Sequence, residues 1–255
     1  MIAKKESDIQ NLRTGGKILS EVLRELADKA KAGVTTAALD LAAEQLIRRA
    51  GAVPAFLNYK PQGASYPFPA ALCASINDEV VHGIPSEERV LEAGDIVTLD
   101  LGLSFGGMFV DSAVSVCVGG GGDAGAQKLL TATREALTVG IAATQAGGHV
   151  GDIGAAVAAV AKKYGLSVVA ELGGHALGKK PHEQPFIANI GRVGEGEKIV
   201  EGMVLALEPI FTEGKGTIDL ASDQWTYVTR DGSRAAHFEQ TILVTKDGAE
   251  IVTPF

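Results

Sequence analysis

Four carboxylates and one imidazole sit in this chain where apolar residues or glycines surround them. Asp100 and Asp111 lie in GDIVTLDLGLSFGGMFVDS, residues 94–112. Ile96, Val97, Leu99, Leu101 and Leu103 lead in, and Met108, Phe109, Val110, Val114 and Val116 lead out. Ser104-Phe105-Gly106-Gly107 supplies a turn signal between them, so the segment reads as a β-hairpin. Side chains alternate across a strand. Folding about Phe105-Gly106 places Asp100 directly opposite Asp111, with Cβ atoms about 5 Å apart. Two bare carboxylates there repel, and burial raises the pKa of at least one. A shared proton or a solvated sheet face would resolve the conflict. So would a bound cation, which compensates both charges. Glu208 ends the apolar run MVLALEP, Glu239 lies in AAHFEQTILVT, and His175 lies in LGGHALG, whose glycines permit close approach to a bulky ion. Singly, a strand-end glutamate is usually solvated and a lone histidine is usually a hydrogen-bonded structural residue. Together the five form a ligand series in the order Asp, Asp, His, Glu, Glu.

The elements that must position them follow from periodicity. Ser7-Asp8 starts a helix carried by Ile9, Leu12, Leu19, Leu23 and Leu26, with Gly33 closing it. Thr35 caps a second, with Leu39, Ala43, Leu46 and Ile47 as its apolar face and Gly51 at its end. Residues 52–90 are irregular and rich in Pro and Gly, with a short strand expected near Ala71–Ile76. After the hairpin, GGGGD (119–123) breaks the pattern. It lacks the Lys-Ser/Thr ending of a phosphate loop and reads as a link. A helix is predicted over 124–146 and another from Asp152 to near Gly165, followed by strand-like runs at 166–171, 203–211 and 237–244. The order helix, helix, strands thus occurs twice. Gly94 to Asp100 resembles Gly202 to Glu208, each with an acid six residues after a glycine. One compact domain, 1–255, is expected, built of two pseudo-symmetric halves (about 1–118 and 119–255) that place Asp100 and Glu208 on opposite sides of a shared cleft.

Composition bounds the function. The chain has 255 residues, 46% hydrophobic and 21% charged, which suits a globular core and not a disordered segment. A formal net charge of −8 argues against nucleic acid as a substrate. Two cysteines, Cys73 and Cys117, make no secreted-type framework. The stretch MIAKKESDIQ has no apolar run of a signal peptide, and the small apolar run 155–161 is too short to span a bilayer. A soluble, cytoplasmic protein without a membrane partner is the expectation.

The ligand series and its contexts resemble the methionine aminopeptidases over nearly the full length. SINDEVVHGIP (75–85), DIVTLDLGLSFGGMFVDSAVSV (95–116), GGHALG (173–178), PHEQP (181–185), GMVLALEP (202–209) and WTYVTRDGSRAAHFEQT (225–241) carry the likeness. It is to the short bacterial form (type I): no N-terminal zinc-finger extension is expected. Glu208 and Glu239, 31 positions apart, leave no room for the helical insertion of the longer class. The resemblance implies an α+β, pseudo-twofold pita-bread fold. Its curved antiparallel sheet would carry the site on one face and helices on the outer face. It implies two divalent metal ions, with Asp100 chelating one, Asp111 and Glu239 bridging both, and His175 and Glu208 completing the shell of the other. A hard, oxygen-rich set of this kind suits Mn²⁺, Fe²⁺ or Co²⁺, with Zn²⁺ also open. The activity implied is removal of the N-terminal methionine from nascent polypeptides when the second residue is small. A water activated by two metals would attack the scissile carbonyl. Glu208 would shuttle the proton, and His82 and His182 would contact substrate near the scissile bond. A monomer is expected, with the ribosome as a further partner.

The resemblance implies a methionine pocket walled by Tyr59, Phe68, Cys73 and Trp225, with Phe56 beside them; aromatics and a thiol suit a thioether. Tyr66 competes with Phe68 for one role, because 58–69 is longer than in some relatives. The chain departs from the family pattern at Pro181, at Ala176 and at Gln240, none of which removes a ligand. His149 is expected at the surface. His237 reads unlike a site residue: two positions before Glu239, it has the parity to face the cleft side of its strand, and a place behind the ligands is the lesser reading. Two alternatives share the fold. One is a non-enzymatic binding protein, which typically loses ligands. The other is a proline-directed peptidase or creatinase, which generally carries an added N-terminal domain.

Overall fold

The computed structural model describes residues 2–255. In chain order the elements of the first half are α1 (Glu6–Lys29), α2 (Thr36–Arg49), β1 (Val53–Pro54), β2 (Leu72–Ile76), β3 (Glu79–Val81), β4 (Ile96–Phe105) and β5 (Met108–Cys117). Those of the second are α3 (Ala124–Ala143), α4 (Val150–Tyr164), β6 (Ser167–Val168), β7 (Gly173–Ala176), β8 (Glu183–Ala188), β9 (Val204–Leu207), β10 (Ile210–Thr212), β11 (Ile218–Leu220), β12 (Tyr227–Thr229), β13 (Ala235–His237), β14 (Glu239–Thr245) and β15 (Gly248–Ile251). The main sheet runs β1-β4-β5-β14-β9-β7-β8, with β2 on β4 and β15 on β14. Its pairings are antiparallel. The segment β2-β4-β5-β14-β9-β7 reads alike from either end: three strands from before residue 118 meet three from after it, β5 against β14.

One sheet face is covered because its side chains demand it. Val97, Leu99, Leu101 and Leu103 of β4 and Val110 and Val114 of β5 point to the same buried core as Leu12, Leu19, Leu23 and Leu26 of α1. Each fully buried side chain of this size stabilises by about 1.5–3 kcal/mol. The intervening positions, Thr98, Asp100, Gly102, Asp111, Ala113 and Ser115, face the other way. Thr35 caps α2 by accepting a hydrogen bond from the Ala38 amide at 3.1 Å, a contact worth about 1 kcal/mol.

The structure corrects several boundaries. The hairpin turns at Gly106-Gly107, with φ of 56° and 76°, and not at Phe105-Gly106. Two positive φ values make the primed two-residue turn that matches strand twist. Phe105 therefore pairs with Met108, Asp111 with Gly102, and Asp100 with Ala113. The aspartates are diagonal neighbours on one face and do not stand directly opposite. Helix α1 stops at Lys29, before Gly33, and α3 stops at Ala143. Helix α4 begins at Val150, and Asp152 is in its first turn, accepting from the His149 amide at 2.8 Å. His149 is half-buried there, where exposure was expected. The run 203–211 splits into β9 and β10 at Glu208-Pro209, because proline has no N–H for a ladder. The run 237–244 divides at Phe238, and 166–171 is strand only over β6.

Candidate metal centre and its cavity

Each candidate ligand comes from a strand or its end. Asp100 and Asp111 stand on β4 and β5. His175 lies on β7 opposite Ala206 of β9. Gly174 lets these strands close up, since a Cβ there would fall 2.1 Å from the Ala206 carbonyl oxygen. Glu208 follows β9 at the proline break, and Glu239 opens β14, opposite Ala113.

Among the described residues three overlapping groups result. Ligand atoms of Asp100, Asp111 and Glu239 all lie within 4.8 Å of one another, as do those of His175, Glu208 and Glu239, and of Asp111, His175 and His182. His175 Nε2 is 3.8 Å from Glu208 Oε1 and 4.0 Å from both Asp111 Oδ2 and Glu239 Oε1. Its Nδ1 is 3.0 Å from the Ala176 carbonyl oxygen, so Nδ1–H donates there and Nε2 is left bare toward the carboxylates. Asp100, Asp111 and Glu239 are 8%, 4% and 2% exposed, and Asp100 Oδ1 and Asp111 Oδ1 have no hydrogen-bond partner. Burial, then mutual repulsion, pushes Asp100, Glu208 and Glu239 well above the carboxylate range. Burial lifts Asp111 to about 7, against the Ser112 amide. Burial likewise lowers His175 to about 3. Orphaned buried oxygens beside a bare imidazole nitrogen fit divalent cations, and four carboxylates make the donor set hard.

These shifts carry a sign for stability. The folded carboxylates hold protons more tightly than unfolded ones, whose pKa is about 4. Their contribution is full below that range and is lost as pH rises through the folded values, about 7 for Asp111. The lowered histidines His82, His175 and His237 carry the opposite sign but change charge only below about pH 7, so chelated protein should melt lower near pH 9 than near pH 7.5, by more than protein saturated with divalent ion. Melts at both pH values, with and without ion, check this, and a chelated protein that melts higher at the upper pH contradicts it.

The supporting side chains were not foreseen. Thr241 Oγ1 accepts from the Asp111 amide at 2.9 Å and donates to the Asp111 carbonyl at 2.7 Å, replacing a ladder rung where β5 and β14 diverge. Ser112 Oγ donates to the Glu239 carbonyl at 2.7 Å. Asn189, 3% exposed, donates to the Glu208 carbonyl at 2.9 Å. The only signal in the sequence was a polar residue within or beside an apolar run.

All five ligand candidates, His82, His182, Phe56, Tyr59, Phe68, Cys73 and Trp225 line one cavity of about 350 Å³. Pro61, Val81, Glu171, Leu172, Gly173 and Phe186 complete its wall. Phe56, Phe68, Cys73 and Trp225 form a separate apolar cluster at one end. Phe68 packs edge-on to Trp225 at 5.2 Å, whereas Tyr66 is 36% exposed and donates its hydroxyl hydrogen to the Asp223 carbonyl. Burial, then the Asp100 carboxylate, pushes the Cys73 thiol well up, which keeps it protonated. His82 is held at φ 60°, and burial lowers its imidazole to about 4. His182 Nδ1 lies 3.1 Å from the Tyr59 hydroxyl, which holds the ring at the cavity rim. Gln240 turns away, its amide donating to the Thr253 carbonyl at 3.0 Å. Ala176 is fully buried, and Pro181 is not among the lining residues. His237, by contrast, faces the carboxylates, with Nε2 3.5 Å from Glu208 Oε2.

Residues 10–246 match the family model described as metallopeptidase family M24. The chain is 43% identical over 250 residues to a methionine aminopeptidase of Aquifex aeolicus, covering 97% of this chain and 96% of that one. It is 41% identical to methionine aminopeptidase 1 of Mycobacterium tuberculosis, covering 96% and 92%. Its structure superposes on the crystal structure of methionine aminopeptidase from Thermotoga maritima with a TM-score of 0.94, at 37% identity and full coverage of both chains. A prolidase from Pyrococcus furiosus, 20% identical with a TM-score of 0.74, shares the fold, and this chain covers 66% of it.

Proposed function

The chain belongs to metallopeptidase family M24, and from that premise we infer that it is a pita-bread aminopeptidase that removes N-terminal methionine in a metal-dependent reaction. The observation that carries the reading is one cavity with a carboxylate-rich wall holding His175 and an apolar end of Phe56, Phe68, Cys73 and Trp225. A non-enzymatic binding protein has no use for that ligand set, and identities of 43% and 37% to methionine aminopeptidases, against 20% to a prolidase, separate the chain from the proline peptidases.

Within this reading Asp100, Asp111, His175, Glu208 and Glu239 would hold two divalent ions, of Co, Mn, Fe or Zn, with Asp111 and Glu239 as the ligands common to both. Ions held there would supply a polarised scissile carbonyl and a water of lowered pKa. The rest is the work of side chains. The apolar end takes the methionine side chain, and a thiol among aromatic rings suits its sulfur. Glu208 sits at the boundary between cavity and buried carboxylates, so it takes the proton from the attacking water and returns it to the leaving amine. His182 and His82 reach the peptide at the cavity rim. His182, held through Nδ1 by Tyr59, presents Nε2 to the developing oxyanion. A free α-amine would offer the centre a lone pair that an internal peptide nitrogen, delocalised into its carbonyl, lacks, which favours an exopeptidase. The two halves, about 1–118 and 119–255, form a single catalytic domain with the cleft between them. The substrates are N-termini of nascent polypeptides, met at the ribosome by a cytoplasmic monomer. No helix among the described residues is long and apolar enough to cross a membrane.

Specificity tests this reading. Met-Ala and Met-Gly peptides should be cut well. Met-Lys should be cut poorly because the rim is crowded, and Leu-Ala because its branched side chain fits the apolar end less well. Activity on Met-Ala-Ser should vanish on chelation and return with divalent ion. Equal rates across the panel, or turnover indifferent to chelator, would refute it.

A further inference from the structure

His237 is 1% exposed, and both of its ring nitrogens lack a hydrogen-bond partner among the described residues. Such a group is costly to bury unless something answers it. Its ring is aimed at the centre. Nε2 lies 3.5 Å from Glu208 Oε2 and 3.8 Å from Glu239 Oε2. His175 addresses the same two carboxylates through their other oxygens, at 3.8 Å from Glu208 Oε1 and 4.0 Å from Glu239 Oε1. Two imidazoles thus bracket one pair of glutamates, each facing a different oxygen of each. The backbone beneath His237 is fixed. Ser115 Oγ accepts from its amide at 2.9 Å and donates to its carbonyl at 2.7 Å, with Thr98 Oγ1 2.7 Å behind.

We infer that His237 is a positioning residue: its Nε2–H holds Glu208 Oε2 and so reserves Oε1 for the ion that Glu208 shares with His175. A turn of the Glu208 carboxylate by about 0.6 Å brings the pair to ordinary hydrogen-bond length. His237 is a donor and not a further ligand, because its nitrogens join none of the groups whose ligand atoms lie within 4.8 Å of one another among the described residues. A carboxylate held at one oxygen is turned to offer the other to an ion, so it keeps one orientation for proton transfer. Buried partners that orient ligands in this way are worth about 10–100-fold in metal affinity or activity.

The inference rests on Glu208 being a ligand as proposed above. The test compares His237→Gln, which keeps an N–H donor, with His237→Phe, which keeps a ring without one. Calorimetry with Mn²⁺ gives affinity, the visible spectrum of the Co²⁺ form reports the ligand field, and kcat and KM are measured on Met-Ala-Ser. His237→Phe should bind Mn²⁺ on the order of 10–100-fold more weakly, shift the Co²⁺ bands and lower kcat with little change in KM. His237→Gln should recover most of each loss. Should His237→Phe fail to fold, His237→Leu carries the same comparison. Wild-type Mn²⁺ affinity and turnover in the donor-less variant would overturn the inference alone. A His237→Gln as impaired as His237→Phe would overturn the donor role and make the imidazole a ligand. Failure of the parent protein to bind Mn²⁺ would sink the metal-centre reading and this inference together.

Discussion

Asp111→Asn is expected to cut turnover on the order of 10³-fold and to weaken ion binding severely. Asp111 belongs to two of the three ligand groups, one with Asp100 and Glu239 and one with His175 and His182. In the proposed centre it is shared by both ions, so an amide there removes a negative charge from each shell. Loss of a supporting partner behind a ligand costs about 10–100-fold, and loss of a shared ligand should exceed that, on the order of 10³-fold in activity. Stability should move the other way. Asp111 is 4% exposed with Oδ1 unpartnered, and burial already lifts its pKa to about 7. Without ions, asparagine relieves a charge the fold holds at a cost, so the chelated variant should melt at or above the parent. Metal analysis, kinetics and melting of both proteins check all three parts. Full metal content with normal turnover would remove Asp111 from the centre.

The second large effect separates two histidines seven residues apart. His182→Ala is expected to keep its metal and fold while kcat falls on the order of 10²–10³-fold, the size of one lost oxyanion donor. His175→Ala should lose tight ion binding and activity with it. The geometry makes the contrast sharp, because the rings are only 4.4 Å apart and both reach Asp111. They differ in how they are held. The Ala176 carbonyl takes the Nδ1 proton of His175 and leaves Nε2 facing three carboxylates, whereas His182 is exposed and anchored by the Tyr59 hydroxyl. Mass spectrometry for metal and single-turnover kinetics on both variants decide. A metal-free His182→Ala beside a loaded His175→Ala would reverse the roles.

The acids were legible in the sequence because each interrupts or ends an apolar run, where a charge is conspicuous. Their relation was less so. The glycine pair 106–107 signals a primed turn, and centring the fold one residue early moved Asp111 two positions along β4. Strands β7 and β8 escaped because Gly173, Gly174 and Pro185 remove the alternation that marks a strand. The boundary at Glu208-Pro209 was hidden by a continuous apolar run on both sides. Thr241, Ser112, Ser115 and Asn189 escaped because such residues are common everywhere. Their roles depend on backbone partners far along the chain, as with Thr241 and Asp111, 130 residues apart.

β5 and β14 are in register over only two residue pairs, Glu239 with Ala113 and Gln240 with Ser112. That short seam is where the sheet's first half joins its second, and the proposed ions would lie across it, tying Asp100 and Asp111 to His175, Glu208 and Glu239. A cofactor so placed is also a fastener. Ions that bind only the joined form stabilise it by mass action, by about 2.7 kcal/mol at a hundredfold excess over Kd. Degradation follows the population of opened chains. The lifetime of the molecule in a cell, and so the amount present, would then rise and fall with the supply of divalent ion.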